Sequence, residues 1–207
     1  MLDLGVTAIV FGLIFVGELP DKSAIATLVL STRFPWKWVF VGVATAFLVH
    51  VVIAVAAGSL ITLLPHDVVE IVVTVLFLVG AVLIWREGME TEEEREAEEE
   101  HELEDELAGV PTTAGFGRVA SLGFATIFVA EWGDLTQIMT ANLAAKYDHP
   151  VSVAVGAALG LWSVALLAIL GGNALLRVLP MQWICRVAAV VMLGLAIYTG
   201  LGVAGVI

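Results

Sequence analysis

The chain has 207 residues, of which 60% are hydrophobic and 14% are charged, and its mean hydropathy is +1.00. Typical soluble domains carry about 25% charged residues, so this composition excludes an ordinary soluble protein and predicts an integral membrane protein. The net charge of −12 comes from one segment, because 13 of the 21 acidic residues lie between Glu87 and Glu106. A single cysteine, Cys185, excludes an internal disulfide and a cysteine-based metal cluster.

Six apolar stretches follow one another along the chain, each near the roughly 20 residues that a membrane-spanning helix needs. They are Leu4 to Leu30, Trp38 to Leu64, Val68 to Trp85, Val119 to Ala145, Val151 to Leu176 and Trp183 to Val206. The first stretch lacks the cationic start of a signal peptide, so we interpret it as a membrane helix. The sequence therefore predicts an all-α integral membrane protein with six transmembrane helices.

The two halves of the chain repeat the same polar residues and glycines. Residues 16–24 read VGELPDKSA, and residues 129–137 read VAEWGDLTQ. At an offset of 113, the matched residues are Glu18 with Glu131, Asp21 with Asp134, Ser23 with Thr136 and Thr27 with Thr140. At an offset of 114, Gly42, Gly58 and Gly80 match Gly156, Gly172 and Gly194. Because each half holds three helices, the second half must enter the membrane from the opposite side, which predicts two inverted three-helix repeats.

An acidic linker separates the repeats, so the predicted units are residues 1–86, 87–117 and 118–207. Such a like-charge block cannot bury a core, and we interpret it as a solvated spacer; a weak gatherer or sensor of divalent cations is the alternative. The cations of the odd-numbered loops are Arg33, Lys37, Arg86, Arg95, Arg118 and Arg177. The positive-inside rule then predicts a cytoplasmic linker and both termini outside. The short chain suggests a multi-pass protein of the plasma membrane.

Four carboxylates inside apolar stretches need a reason, because each charge costs roughly 2.5 to 3.5 kcal/mol at the bilayer centre. Glu18 and Asp21, like Glu131 and Asp134, are spaced i, i+3, so a helical segment would present each pair on one face. The two motifs together would offer up to eight carboxylate oxygens, a hard-ligand set suited to Mg, Ca or Mn. Neutral oxygens from Ser23, Thr136 and Gln137 could complete the site. Crowding and burial penalise the ionised acids, so protons should replace the metal when it leaves.

The two motifs differ in backbone and charge. Pro20 should kink or break the first motif helix, whereas Gly133 permits close backbone approach in the fourth helix without forcing a break. Lys22 is placed to pair with Glu18, and Leu135 replaces it in the second motif. We therefore expect the second motif to bind metal more strongly.

Two further features concern packing. His50 lies inside the second apolar stretch and matches Val164, so we favour a hydrogen-bonded core histidine over a proton relay. Gly156 and Gly160 form a small-residue face, echoed by Gly42 and Ala46, which predicts close helix packing.

The motifs ELPDKS and EWGDLT resemble the duplicated Glu-x-Gly-Asp-(Lys/Arg)-(Ser/Thr) signature of the membrane family once catalogued as uncharacterised protein family 0016. That family includes Golgi and chloroplast calcium/manganese transporters and bacterial manganese exporters. Pro20 departs from the first motif and Leu135 from the second, although neither change removes an oxygen ligand. The resemblance implies that the cation-site residues are Glu18, Asp21, Ser23, Glu131, Asp134 and Thr136.

These observations predict a secondary transporter rather than an enzyme: a divalent cation/proton antiporter that exports Mn²⁺, or Ca²⁺, in exchange for protons. We expect no cofactor, no catalytic residue and no nucleic-acid partner; the partners are the cation and the lipid bilayer, with a homo-oligomer left open. The alternatives are a proton-coupled small-molecule exporter and an intramembrane aspartyl protease with Asp21 and Asp134 as its dyad. A protease dyad would not explain the repeated glutamates. A nontransporting scaffold subunit that docks through the linker is the third alternative.

Overall fold

The computed structural model describes residues 2–19, 22–61, 66–87, 101, 107, 110–147, 149–178 and 181–203. Within these residues the regular structure is helical, which confirms the all-α prediction. The helices are α1 (Leu4–Glu18), α2 (Lys22–Arg33), α3 (Trp36–Ile61), α4 (His66–Glu87), α5 (Phe116–Ala130), α6 (Leu135–Lys146), α7 (Pro150–Val178) and α8 (Met181–Val203). Each predicted apolar stretch coincides with one of these helices or with a consecutive pair.

Two helices of the described residues, Trp36–Leu60 and Pro150–Gly171, are long and apolar enough to cross a membrane. The bent pair Leu4–Glu18 and Ser23–Arg33 adds a third if it forms one broken span. Large apolar side chains such as Val75 and Ile197 are exposed on α4 and α8, as expected where helices face lipid. The chain is therefore an apolar helical membrane protein; the six-span inverted repeat stays a prediction.

Both motif helices, the first and the fourth, are broken, although only Pro20 of the first was expected to force a break. The axes of Leu4–Glu18 and Ser23–Arg33 differ by 74°. Helix α5 ends at Ala130 and α6 begins at Leu135, with Gly133 between them at a φ of 78°. The prediction that Gly133 would not force a break, and that one helical segment would carry Glu131 and Asp134, was wrong. The physical reason is that glycine enters the left-handed region at little cost, and there the chain leaves the helical path.

Small residues bring pairs of helices into backbone contact, as predicted. A Cβ atom built on Gly42 of α3 would lie 2.2 Å from the carbonyl oxygen of Ala120 in α5. A Cβ atom on Gly156 of α7 would lie 2.6 Å from the carbonyl oxygen of Thr7 in α1. Only residues without a side chain allow these approaches, so α3 packs closely on α5 and α7 on α1.

Polar contacts join the start of α1 to the start of α7. The N–H of Asp3 donates to Ser152 Oγ at 2.8 Å, and Asp3 lies 3.8 Å from His149 Nε2. The Asp3 carboxylate also caps α1, because it accepts a 3.0 Å hydrogen bond from the Val6 N–H. That hydrogen bond lowers the pKa of Asp3 below its ordinary value of 3.8. These two chain segments, 149 residues apart, therefore lie at the same end of the helix bundle.

The end of the predicted linker packs into the protein core. Leu107 is buried, as is Ala114, and Val110 packs against the same hydrophobic cluster. Most of the acidic run that precedes Leu107 lies outside the described residues. The role predicted for this run, that of a solvated spacer, therefore stays a prediction.

Candidate cation site

Three of the four predicted carboxylates come together at the two helix breaks. Glu18, Glu131 and Asp134 each offer one oxygen, and these oxygens all lie within 4.8 Å of one another. The Glu18 and Glu131 side chains are 0% and 2% exposed, and Asp134 is half-buried. The fourth predicted carboxylate, Asp21, lies outside the described residues, as do Pro20 and the side chain of Lys22.

The first motif orients its glutamate through a short hydrogen bond. Glu18 is the last residue of α1, and Ser23 lies in the first turn of α2. The Ser23 hydroxyl donates to Glu18 Oε1 at 2.7 Å, and both side chains are fully buried. Ser23 therefore lies beside the carboxylate cluster and fixes the direction of Glu18 across the break, while its role as a cation ligand stays a prediction.

The second motif forms a turn that ends in a helix cap. Asp134 is the N-cap residue of α6, and its Oδ2 atom accepts from the N–H and the hydroxyl of Thr136 at 3.2 and 3.3 Å. The buried Thr140 hydroxyl donates to the Thr136 carbonyl oxygen at 2.7 Å. An acidic N-cap also interacts favourably with the positive end of the helix dipole. Asp134 is thus held beside Glu131 without a continuous helix.

Gln137 is engaged in hydrogen bonds with neighbouring protein groups. Its Oε1 atom accepts from the Gly133 N–H at 2.8 Å, and its Nε2 atom lies 2.8 Å from His50 Nδ1. His50 Nε2 lies 3.1 Å from the Phe128 carbonyl oxygen, and the ring is 4% exposed. The prediction of a hydrogen-bonded core histidine is confirmed. The ligand role of Gln137 stays a prediction, because this carbonyl oxygen has a second lone pair.

A narrow cleft borders Glu131 on the side of the second motif. Its polar lining consists of His50, Glu131, Thr136, Gln137 and Thr140, and its apolar lining includes Phe47 and Leu161. Sequence reasoning did not assign Thr140 or His50 to this region. The signal for Thr140 was present in its match to Thr27, whereas His50 has an apolar match and gave no such signal.

The family match decides the class of protein. The family described as divalent cation/proton antiporter GDT1 matches residues 6–92 and 119–204. The chain belongs to the GDT1 family. The family resemblance predicted from the two motifs is thereby confirmed, and the GDT1 family is one of transporters rather than of enzymes.

Individual relatives agree with this assignment. A GDT1-like protein of Synechocystis sp. is 36% identical over 172 residues, which cover 78% of this chain and 80% of that protein. The GDT1-like protein 3 of Oryza sativa is 28% identical over 195 residues, covering 89% of this chain and 70% of that protein. The chloroplastic protein PAM71 of Arabidopsis thaliana is 34% identical over 205 residues, with 91% of this chain and 55% of that protein covered. No solved structure matches the chain.

Proposed function

We propose that this GDT1 family member exports Mn²⁺, or Ca²⁺, from the cytoplasm in exchange for entering protons. The cation site consists of Glu18, Asp21 and Ser23 from the first motif, and of Glu131, Asp134 and Thr136 from the second. The observation that carries the proposal is the cluster of three carboxylates from both halves of the chain, with ligand oxygens within 4.8 Å. The family's divalent cation/proton exchange gives the cluster its reaction class.

The donor set suits a hard divalent cation. Carboxylate and hydroxyl oxygens are the preferred ligands of Ca²⁺ and Mn²⁺, and the two motifs contain no cysteine or methionine for a softer metal. Buried like charges this close repel one another strongly unless a cation or protons neutralise them. Metal and protons therefore compete for the same oxygens, which couples export of one to entry of the other.

The inverted repeat gives the site access to both sides of the membrane in turn. Three observations support this architecture. The two segments matched by the family begin at residues 6 and 119, the same spacing as that between Glu18 and Glu131. Gly42 contacts Ala120, and Gly156 contacts Thr7, so glycines at matched positions touch residues at matched positions. Both helix breaks meet at the carboxylates.

The proposed orientation follows from the cations of the odd-numbered loops. It places the acidic linker in the cytoplasm and both termini outside. The membrane that we propose is the plasma membrane. The contact between Asp3 and the α6–α7 loop supports it, because the N-terminus and this loop then lie on the same outer face.

Ion flux in proteoliposomes with an imposed pH gradient tests the proposal. We expect the native protein to move Mn²⁺ or Ca²⁺ while dissipating the gradient, and the variant Glu131→Gln to lose both movements. The matched control is Asp3→Asn, which removes a carboxylate outside the site. Native protein that moves neither ion, or a Glu131→Gln variant as active as the native protein, would refute the proposal.

A competition assay decides between the two cations. Unlabelled Ca²⁺ at increasing concentration is added during Mn²⁺ uptake, and the reverse experiment is performed with labelled Ca²⁺. We expect Mn²⁺ to compete more effectively than Ca²⁺ for the shared site. Labelled Ca²⁺ uptake that equimolar Mn²⁺ does not reduce, with Mn²⁺ uptake abolished by equimolar Ca²⁺, would reassign Ca²⁺ as the preferred transported ion.

A further inference from the structure

The two helix breaks are closed by different hydrogen bonds. At the first break, the Leu19 N–H donates to the Phe15 carbonyl oxygen at 3.2 Å and so continues the helical pattern of α1. At the second break, the corresponding Trp132 N–H turns instead toward the Val129 carbonyl oxygen, at 3.3 Å. The backbone of α5 therefore unwinds earlier, and the Phe128 carbonyl oxygen loses its helical donor.

His50 supplies the missing donor. Its Nε2 atom lies 3.1 Å from the Phe128 carbonyl oxygen, and the two aromatic rings are in contact at 4.9 Å between centroids. Because a carbonyl oxygen can only accept, Nε2 carries the hydrogen. The Gln137 amide nitrogen, which can only donate, faces Nδ1, so Nδ1 presents a lone pair. His50, on α3, thus caps the last turn of a different helix.

The chain of hydrogen bonds continues across the break. Gln137 Nε2 donates to His50 Nδ1, and the Gly133 N–H donates to Gln137 Oε1, both at 2.8 Å. The end of α5, the turn and the first turns of α6 are therefore linked through two side chains. Between the linked points lie Glu131 and Asp134, the two carboxylates of the second motif.

Apolar residues occupy the corresponding places around the first motif. The positions that match His50 and Gln137 at the repeat offsets are Val164 and Ala24. The apolar cluster there contains Ala24, Val164 and Ala168 and contacts Phe15 and Leu19. The polar chain is thus specific to the second motif, where the turn contains a glycine at positive φ and needs external support.

We propose that His50 and Gln137 are positioning residues that set the affinity of the second motif for the divalent cation. This inference rests on the proposed function and assigns Gln137 a role other than that of a metal ligand. By holding the turn, the two side chains keep Glu131 and Asp134 in one arrangement before the cation arrives. Their loss leaves the carboxylates in place and lets the turn sample other conformations, so the cation binds more weakly while turnover changes little.

A double-mutant cycle in Mn²⁺ transport tests this role. His50→Leu and Gln137→Leu are each expected to raise KM about threefold to tenfold, the effect of one buried hydrogen bond, with kcat within about twofold of the native value. The KM of the double variant is expected to be no higher than that of the more impaired single variant, because both changes break the same chain of hydrogen bonds. Equilibrium Mn²⁺ binding, measured by calorimetry in detergent, should weaken by the same factor.

Two further variants separate positioning from packing. His50→Asn places an amide oxygen near the position of Nδ1 and keeps the acceptor for Gln137, but it does not reach the Phe128 carbonyl oxygen. Its KM should therefore lie between those of the native protein and of His50→Leu. Val164→Ala truncates the matched residue of α7 within its apolar cluster and should leave KM unchanged. If His50→Leu does not fold, the comparison of Gln137→Leu with His50→Asn decides the same question.

The outcomes distinguish this inference from the proposed function. Active native protein with unchanged KM in both leucine variants, or strictly additive effects in the double variant, would refute the positioning role alone. A Val164→Ala variant as impaired as His50→Leu would also refute it, since packing would then explain the loss. Native protein that moves neither Mn²⁺ nor Ca²⁺ would refute the proposed function itself.

Discussion

Replacing Gly42 with alanine should force apart the helices that carry it and the second motif. The new Cβ atom would lie 2.2 Å from the Ala120 carbonyl oxygen and 2.9 Å from the Phe124 nitrogen, whereas ordinary contacts begin at 3.4 Å. Both neighbours are backbone atoms, which cannot rotate away as a side chain can. Helices α3 and α5 must therefore separate by about 1 Å, and overpacking of this kind costs about 1 to 3 kcal/mol.

The chain offers a matched control for this substitution in Gly12. It also lies within a helix, but a Cβ atom there would meet nothing within 4 Å. Alanine is favoured over glycine in a helix by up to about 1 kcal/mol, so Gly12→Ala should be neutral or stabilising. Unfolding in mixed micelles with increasing denaturing detergent, followed by circular dichroism, measures both variants. Equal stability of Gly42→Ala and Gly12→Ala would refute the close packing of α3 on α5.

Three further predictions concern the cap, the turn and the ligand. Asp3→Asn should lower Tm at neutral pH. Because the pKa of Asp3 in the folded protein lies below its ordinary value of 3.8, the difference in Tm from the native protein should shrink below pH 3.8 and vanish only below the folded pKa; a difference constant with pH would contradict this. Gly133→Ala should destabilise the fold by about 1 to 2 kcal/mol, and Gly133→Asn by less. The strain comes from the positive φ of 78°, which asparagine tolerates better than alanine, because a Cβ atom there would meet no neighbouring atom. Equal losses in unfolding titrations would contradict this. Mn²⁺ at 100 times its Kd should raise the free energy of unfolding by about 2.7 kcal/mol, and EDTA or Glu131→Gln should abolish this gain; an equal gain in the variant would place Mn²⁺ elsewhere.

The helices and the meeting of the carboxylates were predictable because both depend on local patterns. Apolar runs of spanning length identify helices without any knowledge of their neighbours. The repeat then places Glu18 and Glu131 at equivalent points of two matched helices, which the structure brings together. A buried, ionised acid in such a segment costs free energy, and a shared cation or proton lowers that cost. The acids are therefore expected to lie close together.

The break at Gly133 was not predictable in the same way. Glycine is compatible with a continuous helix and with a left-handed turn, and contacts distant in sequence distinguish the two. Here the Gln137 contact to His50 spans 87 residues, and the His50 contact to Phe128 spans 78. The sequence places His50 inside an apolar helix but carries no signal for the particular carbonyl oxygen that it meets.

The backbone contacts at the glycines also limit which helices can move as one rigid body. Helices whose main chains touch cannot slide past each other without losing those contacts, so we expect α1 to move together with α7 and α3 together with α5. Each pair joins one helix that precedes the acidic linker to one that follows it. Each rigid body would therefore combine helices from both halves of the chain. A cut within the linker would sever the polypeptide without separating the helices of either pair.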